Sequence, residues 1–525
     1  MATRYGTSGR DRISGTRDGD HLYGYSMDGG LPSDWADDTL DGGEGEDYLH
    51  GGGGADTLLG GLQNDHLDGG PGGDVLDGGG GFDTATYWFS TSAVYINLLA
   101  GAGYAGDALD DTFISIEKVI GSSHDDVIVA GNGGNVLDGW IGDDRIYGGD
   151  GRDDLYGGAG IDRLYGGANV DNLYGGSETD YLWGEDGEDT LDGGDGDDVL
   201  RGGWDSDTFI GSSGADTNYG GDGERDLVDY SESSRRVEVN LETGRGVGGL
   251  AEGDRYDGIE DVTGSRWDDR ITGTSADNHL RGGDGGDDIS GGGGDDLLFG
   301  GAGADQLDGG SHTRGDTISY QDSDSTGVWV DLVSGMGRFG DAEGDKFARI
   351  ENVTGSIFKD TLVGDRGNNV LKGWDGSDEL YGNEGNDSLW GGRHGDRLWG
   401  DAGSDSLYGE MGSDTFIYRS VSDSPYSGPG PGTHDYILDD FLASERDMID
   451  LSAIDADTTA AAVGDQPFTF VLGRAFTGAG QLRIEYVGST VYEVLGETTG
   501  DGVADLHIRV LGRTWSHFDE GDIVM

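Results

Sequence analysis

The stretch GGDGRDDLYGGAGIDRLY, residues 148–165, holds one nine-residue unit twice, Gly-Gly-x-Gly-x-Asp-x-U-x with U apolar. Outward from it, an aspartate returns every nine residues at Asp144, Asp153, Asp162, Asp171, Asp180, Asp189, Asp198, Asp207 and Asp216, and all but the last stand two positions before Leu, Ile or Phe. A fixed short period marks an array of one supersecondary unit. Each unit reads as a turn and a short strand. Alternate glycines tolerate the positive φ that lets a turn point successive carbonyls inward, and in x-U-x the apolar side chain faces one way while its neighbours face the other. The inward positions are then Ile146, Leu155, Leu164, Leu173, Leu182, Leu191, Leu200 and Phe209.

The same phase recurs in four runs, Asp38 to Asp83, Asp126 to Asp216, Asp269 to Asp305 and Asp360 to Asp414. Clean copies of the unit stand at Gly51 to Leu59 and Gly300 to Asp308, and Asn135, Asn278 and Asn369 each occupy the second unit of a run. Two weaker units, Gly6 to Ser14 and Gly15 to Tyr23, bring Asp11 and Asp20 into the array. On these motifs the chain resembles the repeats-in-toxin (RTX) proteins. The resemblance implies an all-β fold, a parallel β-roll (β-solenoid) in which two nonapeptides make one coil. Each inward residue then stacks on the one eighteen later, and Ca²⁺ ions sit between turns on the same side.

The residue types point to the same ion without the resemblance. A hard cation such as Ca²⁺ takes six to eight oxygens from carboxylates and carbonyls. The candidate ligands in the first block are Gly43, Gly45, Asp47, Gly52, Gly54, Asp56, Asp65 and Asp74. In the second they are Asp144, Gly149, Gly151, Asp153, Gly158, Gly160, Asp162, Asp171, Asp180, Asp189, Gly194, Gly196, Asp198 and Asp207. The third offers Gly283, Gly285, Asp287, Gly292, Gly294, Asp296, Gly301, Gly303 and Asp305, and the fourth Asp378, Asp387, Asp396 and Asp405. Two departures, Asn218 at an inward position and Arg314 where an Asp is due, put ions near those coils in question.

The blocks divide the chain into 1–86, 122–225, 265–315 and 356–418, with spacers 87–121, 226–264 and 316–355 and a C-terminal domain 419–525. The spacers resemble one another: each passes through Tyr87, Tyr230 or Tyr320 and an alternating strand, and closes on Ile-Glu-x-Val-x-Gly-Ser. They read as β-rich segments packed on the roll. Glu117, Glu260 and Glu351 are candidates for further ions or for capping and turn-stabilising roles.

The 525 residues carry 104 Asp and Glu against 32 Lys and Arg, a net charge of −72, and 109 glycines. Such a chain repels itself and lacks an ordinary core, so folding is expected to be coupled to cation binding. Its acidity argues against nucleic acid and anionic membranes as partners. There is no cysteine and no apolar run long enough for a membrane helix. Met1 to Tyr5 shows no secretory apolar region, so no Sec signal is expected. The last hundred residues resemble the C-terminal domain of the serralysins, on Asp435 to Phe441, Asp447 to Ser452, Ala475 to Gly478 and Gly500 to Asp505. That resemblance implies type I secretion, with its machinery as a partner, and an extracellular or cell-surface location. Calcium is there abundant enough for sites of about 10⁻⁴ to 10⁻³ M.

The zinc-protease motif His-Glu-x-x-His, the elbow Gly-x-Ser-x-Gly and the phosphate loop Gly-Lys-Ser/Thr do not occur. No catalytic activity is expected. His21, His50, His66, His279 and His394 fall in repeats and read as outward, solvated positions. The last position of successive units is aromatic at Tyr147, Tyr156, Tyr165, Tyr174 and Trp183 and again at Tyr381, Trp390, Trp399 and Tyr408. Because successive units lie on opposite sheets, Tyr147, Tyr165 and Trp183 should form one outward ladder and Tyr156 with Tyr174 another. Such ladders stabilise a thin sheet, serve as a platform for sugar rings, or are covered by a spacer or the C-terminal domain. The repeats start without an N-terminal cap, which invites self-association. The function expected is a secreted, calcium-folded, non-catalytic surface or matrix protein. A polysaccharide-binding adhesin is the second reading and a polysaccharide-modifying enzyme the third.

Overall fold

The computed structural model describes residues 2–25, 35–223, 225–425, 434–438, 446–456, 458, 466–471, 475–488, 491–511 and 520–525. They fall into two compact units, Met1–Thr263 and Gly264–Met525. Each unit is a parallel β-solenoid.

In the first unit successive nonapeptides alternate between two sheets. Ile146, Leu164, Leu182 and Leu200 pair in register along one sheet, and Leu155, Leu173, Leu191 and Phe209 along the other. The repeat of eighteen thus sets the register directly. Every one of these side chains is at most 1% exposed. A parallel ladder leaves its next neighbour about 4.8 Å away, so one apolar residue per strand is enough to fill a coil. The second unit repeats the plan, with Leu280 on Leu298, Leu371 on Leu389 and Leu389 on Leu407. Near the start, strands Arg12–Ser14 and His21–Tyr23 pair with partners 27 residues on.

The spacers are woven into the sheets rather than packed on them. In the first, strand Thr112–Ile114 lies parallel to Val75–Gly80, and Tyr95–Asn97 lies parallel to Val127–Val129. Ala102–Ala105 joins the two by antiparallel pairing. The third spacer does the same with Lys346–Ala348, Met336–Arg338 and Trp329–Asp331. A lone hairpin is marginal in water, so these strands gain most by pairing with the roll's own rungs. Phe113 and Tyr256 take inward positions there.

At the C-terminal end of the second unit, Asp435–Ile437 pairs with Ser406–Met411 and with Leu506–Leu511. Leu506–Leu511 is the last strand of an antiparallel meander with Gln481–Gly488 and Val491–Glu497. Asp439 to Phe441, part of the segment Asp435 to Phe441 on which a resemblance to the serralysins is expected, lie outside the described residues.

Candidate metal centres

The turn makes two left-handed demands. Positions two and four of the unit have positive φ at Gly149 (86°) and Gly151 (148°), Gly158 (109°) and Gly160 (132°), and Gly194 (89°) and Gly196 (156°). The same holds for Gly43, Gly45, Gly52, Gly54, Gly283, Gly285, Gly292, Gly294, Gly301 and Gly303. At six departures from Gly the backbone stays left-handed: Trp140, Glu185 and Trp374 at position two, and Gln63, Asn169 and Glu178 at position four, keep φ between 74° and 85°.

The aspartates form continuous ladders. The N–H of Asp144 donates to Oδ1 of Asp162 at 2.7 Å, that of Asp162 to Asp180 at 2.8 Å, and that of Asp180 to Asp198 at 2.7 Å. Asp153, Asp171, Asp189 and Asp207 form the ladder of the opposite side. In the first block Asp47, Asp56, Asp65 and Asp74 are linked alike, as are Asp287 to Asp305 and Asp378 to Asp396 in the second unit, with Asp387 bonded to Asp405. One carboxylate oxygen is therefore structural.

The other oxygen has no protein partner. Oδ2 of Asp47, Asp65 and Asp74, of each in-phase aspartate from Asp144 to Asp207, of Asp287, Asp296 and Asp305 and of Asp378, Asp387, Asp396 and Asp405 is buried without a hydrogen bond. A buried bare carboxylate oxygen costs several kcal/mol unless a proton or cation meets it. Burial accordingly pushes these groups up, to about 8 at Asp74, Asp144, Asp180, Asp207, Asp287, Asp378, Asp396 and Asp405. It takes Asp65, Asp171, Asp198, Asp296, Asp305 and Asp387 to about 7 and Asp153, Asp162 and Asp189 to about 6. The N–H accepted by Oδ1 opposes the rise, and adjacent carboxylates add to it.

A divalent cation fits this donor set. A methyl placed on Gly157 would fall 2.4 Å from Asp162 Oδ2 and 2.5 Å from the Gly175 carbonyl oxygen, and one on Gly175 would fall 2.6 Å from Asp180 Oδ2 and 2.6 Å from the Gly193 carbonyl. At these turns the first Gly thus keeps a side chain out of a small space bordered by both a carboxylate and a carbonyl. Among the described residues no three His, Cys, Asp or Glu side chains converge. A cation here would draw most of its oxygens from the main chain, as hard calcium sites allow.

Some assignments shift. Arg314 is exposed, and the ladder skips it: the Asp296 N–H donates to Oδ1 of Asp316, two residues later than the period demands. Glu117, Glu260 and Glu351 stand in for ladder aspartates, accepting the N–H of Asp83, Asp226 and Asp316. Asp111, Asp254 and Asp345 continue the opposite ladder through the spacers. Their period is broken, so sequence reading passed over them. An acid two residues before Phe113, Tyr256 and Phe347 was the available signal.

The outward aromatic ladders are present. Tyr147 stacks on Tyr165 at 4.8 Å, Tyr165 on Trp183 at 4.5 Å and Tyr156 on Tyr174 at 4.8 Å. Tyr381 stacks on Trp399 and Trp390 on Tyr408 in the second unit. His21 and His66 sandwich Tyr48, and His50 stacks on Tyr23, so these histidines are half-buried ladder members rather than solvated. Beside Trp183 a groove of about 710 Å³ is lined by Glu185, Asp186, Arg201, Trp204 and Tyr219.

No curated protein matches this chain. Among solved structures, the AlgE6R3 subunit of the Azotobacter vinelandii mannuronan C5-epimerase is similar at 28% identity, over 32% of this chain and 79% of that one, with a TM-score of 0.18. The model of the RTX calcium-binding nonapeptide repeat (four copies) matches residues 5–26, 33–67, 50–85, 120–155, 147–182, 183–217, 256–289, 263–298, 281–311, 354–389 and 390–424. Those matches span more than half of the sequence and coincide with the ladders of half-satisfied aspartates, and the chain belongs to the RTX calcium-binding nonapeptide-repeat family.

Proposed function

We propose that the chain is a secreted structural protein that stays unfolded where calcium is scarce and becomes a rigid roll where calcium is abundant. One observation carries this reading: rows of buried Asp Oδ2 atoms with no hydrogen-bond partner, with main-chain carbonyls close by at turns such as those of Asp162 and Asp180. The Gly and Asp residues at these turns would supply the oxygens, and the ion would neutralise charge that the metal-free fold cannot tolerate. Export by a type I system is supported by the serralysin-like segments Asp447 to Ser452 and Gly500 to Asp505, because an unfolded chain is what such a route requires. The role proposed is scaffolding at the cell surface or in the surrounding matrix, with self-association of the roll. Far-UV circular dichroism during a calcium titration tests it. A cooperative gain of β signal supports the reading, and a spectrum indifferent to calcium and EGTA contradicts it.

The groove beside Trp183 favours a second reading, a polysaccharide-binding protein. Trp204, 59% exposed, stands beside half-buried Trp183 and Tyr219, with Arg201 over Tyr219, so that stacking faces and hydrogen-bond donors lie together. Retention on polysaccharide columns that is lost on Trp183→Ala with Trp204→Ala would support it.

A further inference from the structure

Not every ladder carboxylate keeps a bare oxygen. At the second turn position, Ser122, Ser265 and Ser356 replace Gly and do not adopt its left-handed conformation. Instead each closes on the aspartate four residues on. Ser122 donates its N–H to Asp126 Oδ2 at 2.6 Å and its hydroxyl to Oδ1 at 2.8 Å. Ser356 does the same to Asp360 at the same distances, and Ser265 bonds Asp269 likewise. Each of these serines directly follows a spacer, as the first residue of the next block.

Inside the spacers a buried tyrosine has the same effect. The Tyr87 hydroxyl donates to Asp111 Oδ2 at 2.7 Å and that of Tyr320 to Asp345 Oδ2 at 2.8 Å. Tyr230 bonds Asp254 Oδ2. Oδ1 of each aspartate still accepts its ladder N–H, from Asp74, Asp305 and Asp216. The ladder is thus unbroken, but the oxygen left bare elsewhere is engaged. On the opposite sheet the rung after Glu117 is the neutral Asn135, whose Oδ1 accepts the Gly131 N–H.

We propose that the second turn residue and the spacer tyrosine decide where the roll holds a divalent cation: Gly turns hold one, and the hydroxyl-closed rungs of each spacer hold none. The spacers are metal-free joints between separately loaded calcium blocks. A cation needs oxygens whose lone pairs are not already spent. An N–H and an O–H aimed at a carboxylate also turn the positive ends of their dipoles toward the place an ion would take. The spacers preserve the fold's continuity by hydrogen bonds where the blocks use charge. This rests on calcium binding by the Gly turns, and the test separates the two claims.

Calcium bound per full-length chain is measured by equilibrium dialysis at millimolar calcium, read by atomic emission, for the parent, Asp162→Asn, Asp254→Asn and Ser122→Ala. The expected result is a loss of at least one ion in Asp162→Asn and an unchanged count in the other two. Equal losses in Asp254→Asn or Ser122→Ala overturn the proposal while leaving calcium binding intact. A parent that binds no calcium overturns both. Should Asp162→Asn not fold, Tyr320→Phe discriminates in its place. It removes the hydroxyl that bonds Asp345 Oδ2 and is expected to add one ion, and an unchanged count contradicts the proposal.

Discussion

The main-chain N–H of Asp153 donates to Oδ1 of Asp171 at 2.8 Å, while Oδ2 of Asp171 is buried with no protein partner. One oxygen therefore serves the fold, and the other is left for the proposed ion. Asp171→Asn keeps an acceptor for the ladder and removes the charge. At a calcium concentration of 100 times the dissociation constant, loss of one ion lowers stability by about 2.7 kcal/mol. Denaturant unfolding at fixed calcium should show that drop, and the deficit should shrink as calcium is lowered toward the dissociation constant. Asp171→Ala should be worse at every calcium concentration because the ladder bond goes as well.

Acidity should replace calcium. Burial raises Asp180 and Asp207 to about 8 and Asp171 to about 7, against about 3.9 in an unfolded chain. The folded metal-free chain thus binds these protons more tightly than the unfolded one. Its stability is greatest below pH about 4 and is lost as pH rises through 6 to 8. Circular dichroism in EGTA should show β structure appearing on acidification. In calcium, the concentration needed for folding should fall as pH falls through the same range, because a proton already neutralises a carboxylate that the ion would otherwise have to meet.

Backbone handedness gives a pair of opposite effects. Gly158 has φ of 109°, and a methyl there would lie 2.2 Å from the Trp140 carbonyl oxygen. Gly158→Ala should cost more than the ~1–2 kcal/mol of left-handed strain alone. Gln63 already carries that strain at φ of 78°, so Gln63→Gly should stabilise by up to about 1 kcal/mol. Thermal unfolding of both variants in saturating calcium checks the signs.

Leu173 is fully buried between Leu155 and Leu191. A coil has one such residue per strand, so Leu173→Ala leaves a void that neighbours cannot refill, at about 2–5 kcal/mol. Trp183→Ala removes an outward ring from the Tyr165 stack and should cost about 0.2–1 kcal/mol. Urea midpoints of the two variants should therefore differ clearly.

The roll was legible because its determinants are local and periodic. Asp144 to Asp207, the inward Leu residues and the left-handed glycines each repeat at nine, and the stack of Tyr147 on Tyr165 follows from eighteen. What escaped sequence reading lies where that period fails. Asp111 finds Asp74 across 37 residues and Asp254 finds Asp216 across 38, separations that only the folded spacer fixes. Asp316 replaces Arg314 because a two-residue insertion is absorbed in the turn. The half-burial of His21 and His66 depends on Tyr48 lying between them, a register set by a 27-residue step.

The central claim is that calcium and the fold form one equilibrium, and sedimentation velocity of the full chain in EGTA and then in millimolar calcium at pH 7.5 tests it most directly. The account predicts a slowly sedimenting, expanded chain that becomes compact on adding calcium and expands again when EGTA is restored. A chain that sediments as the same compact particle in both solutions would contradict it.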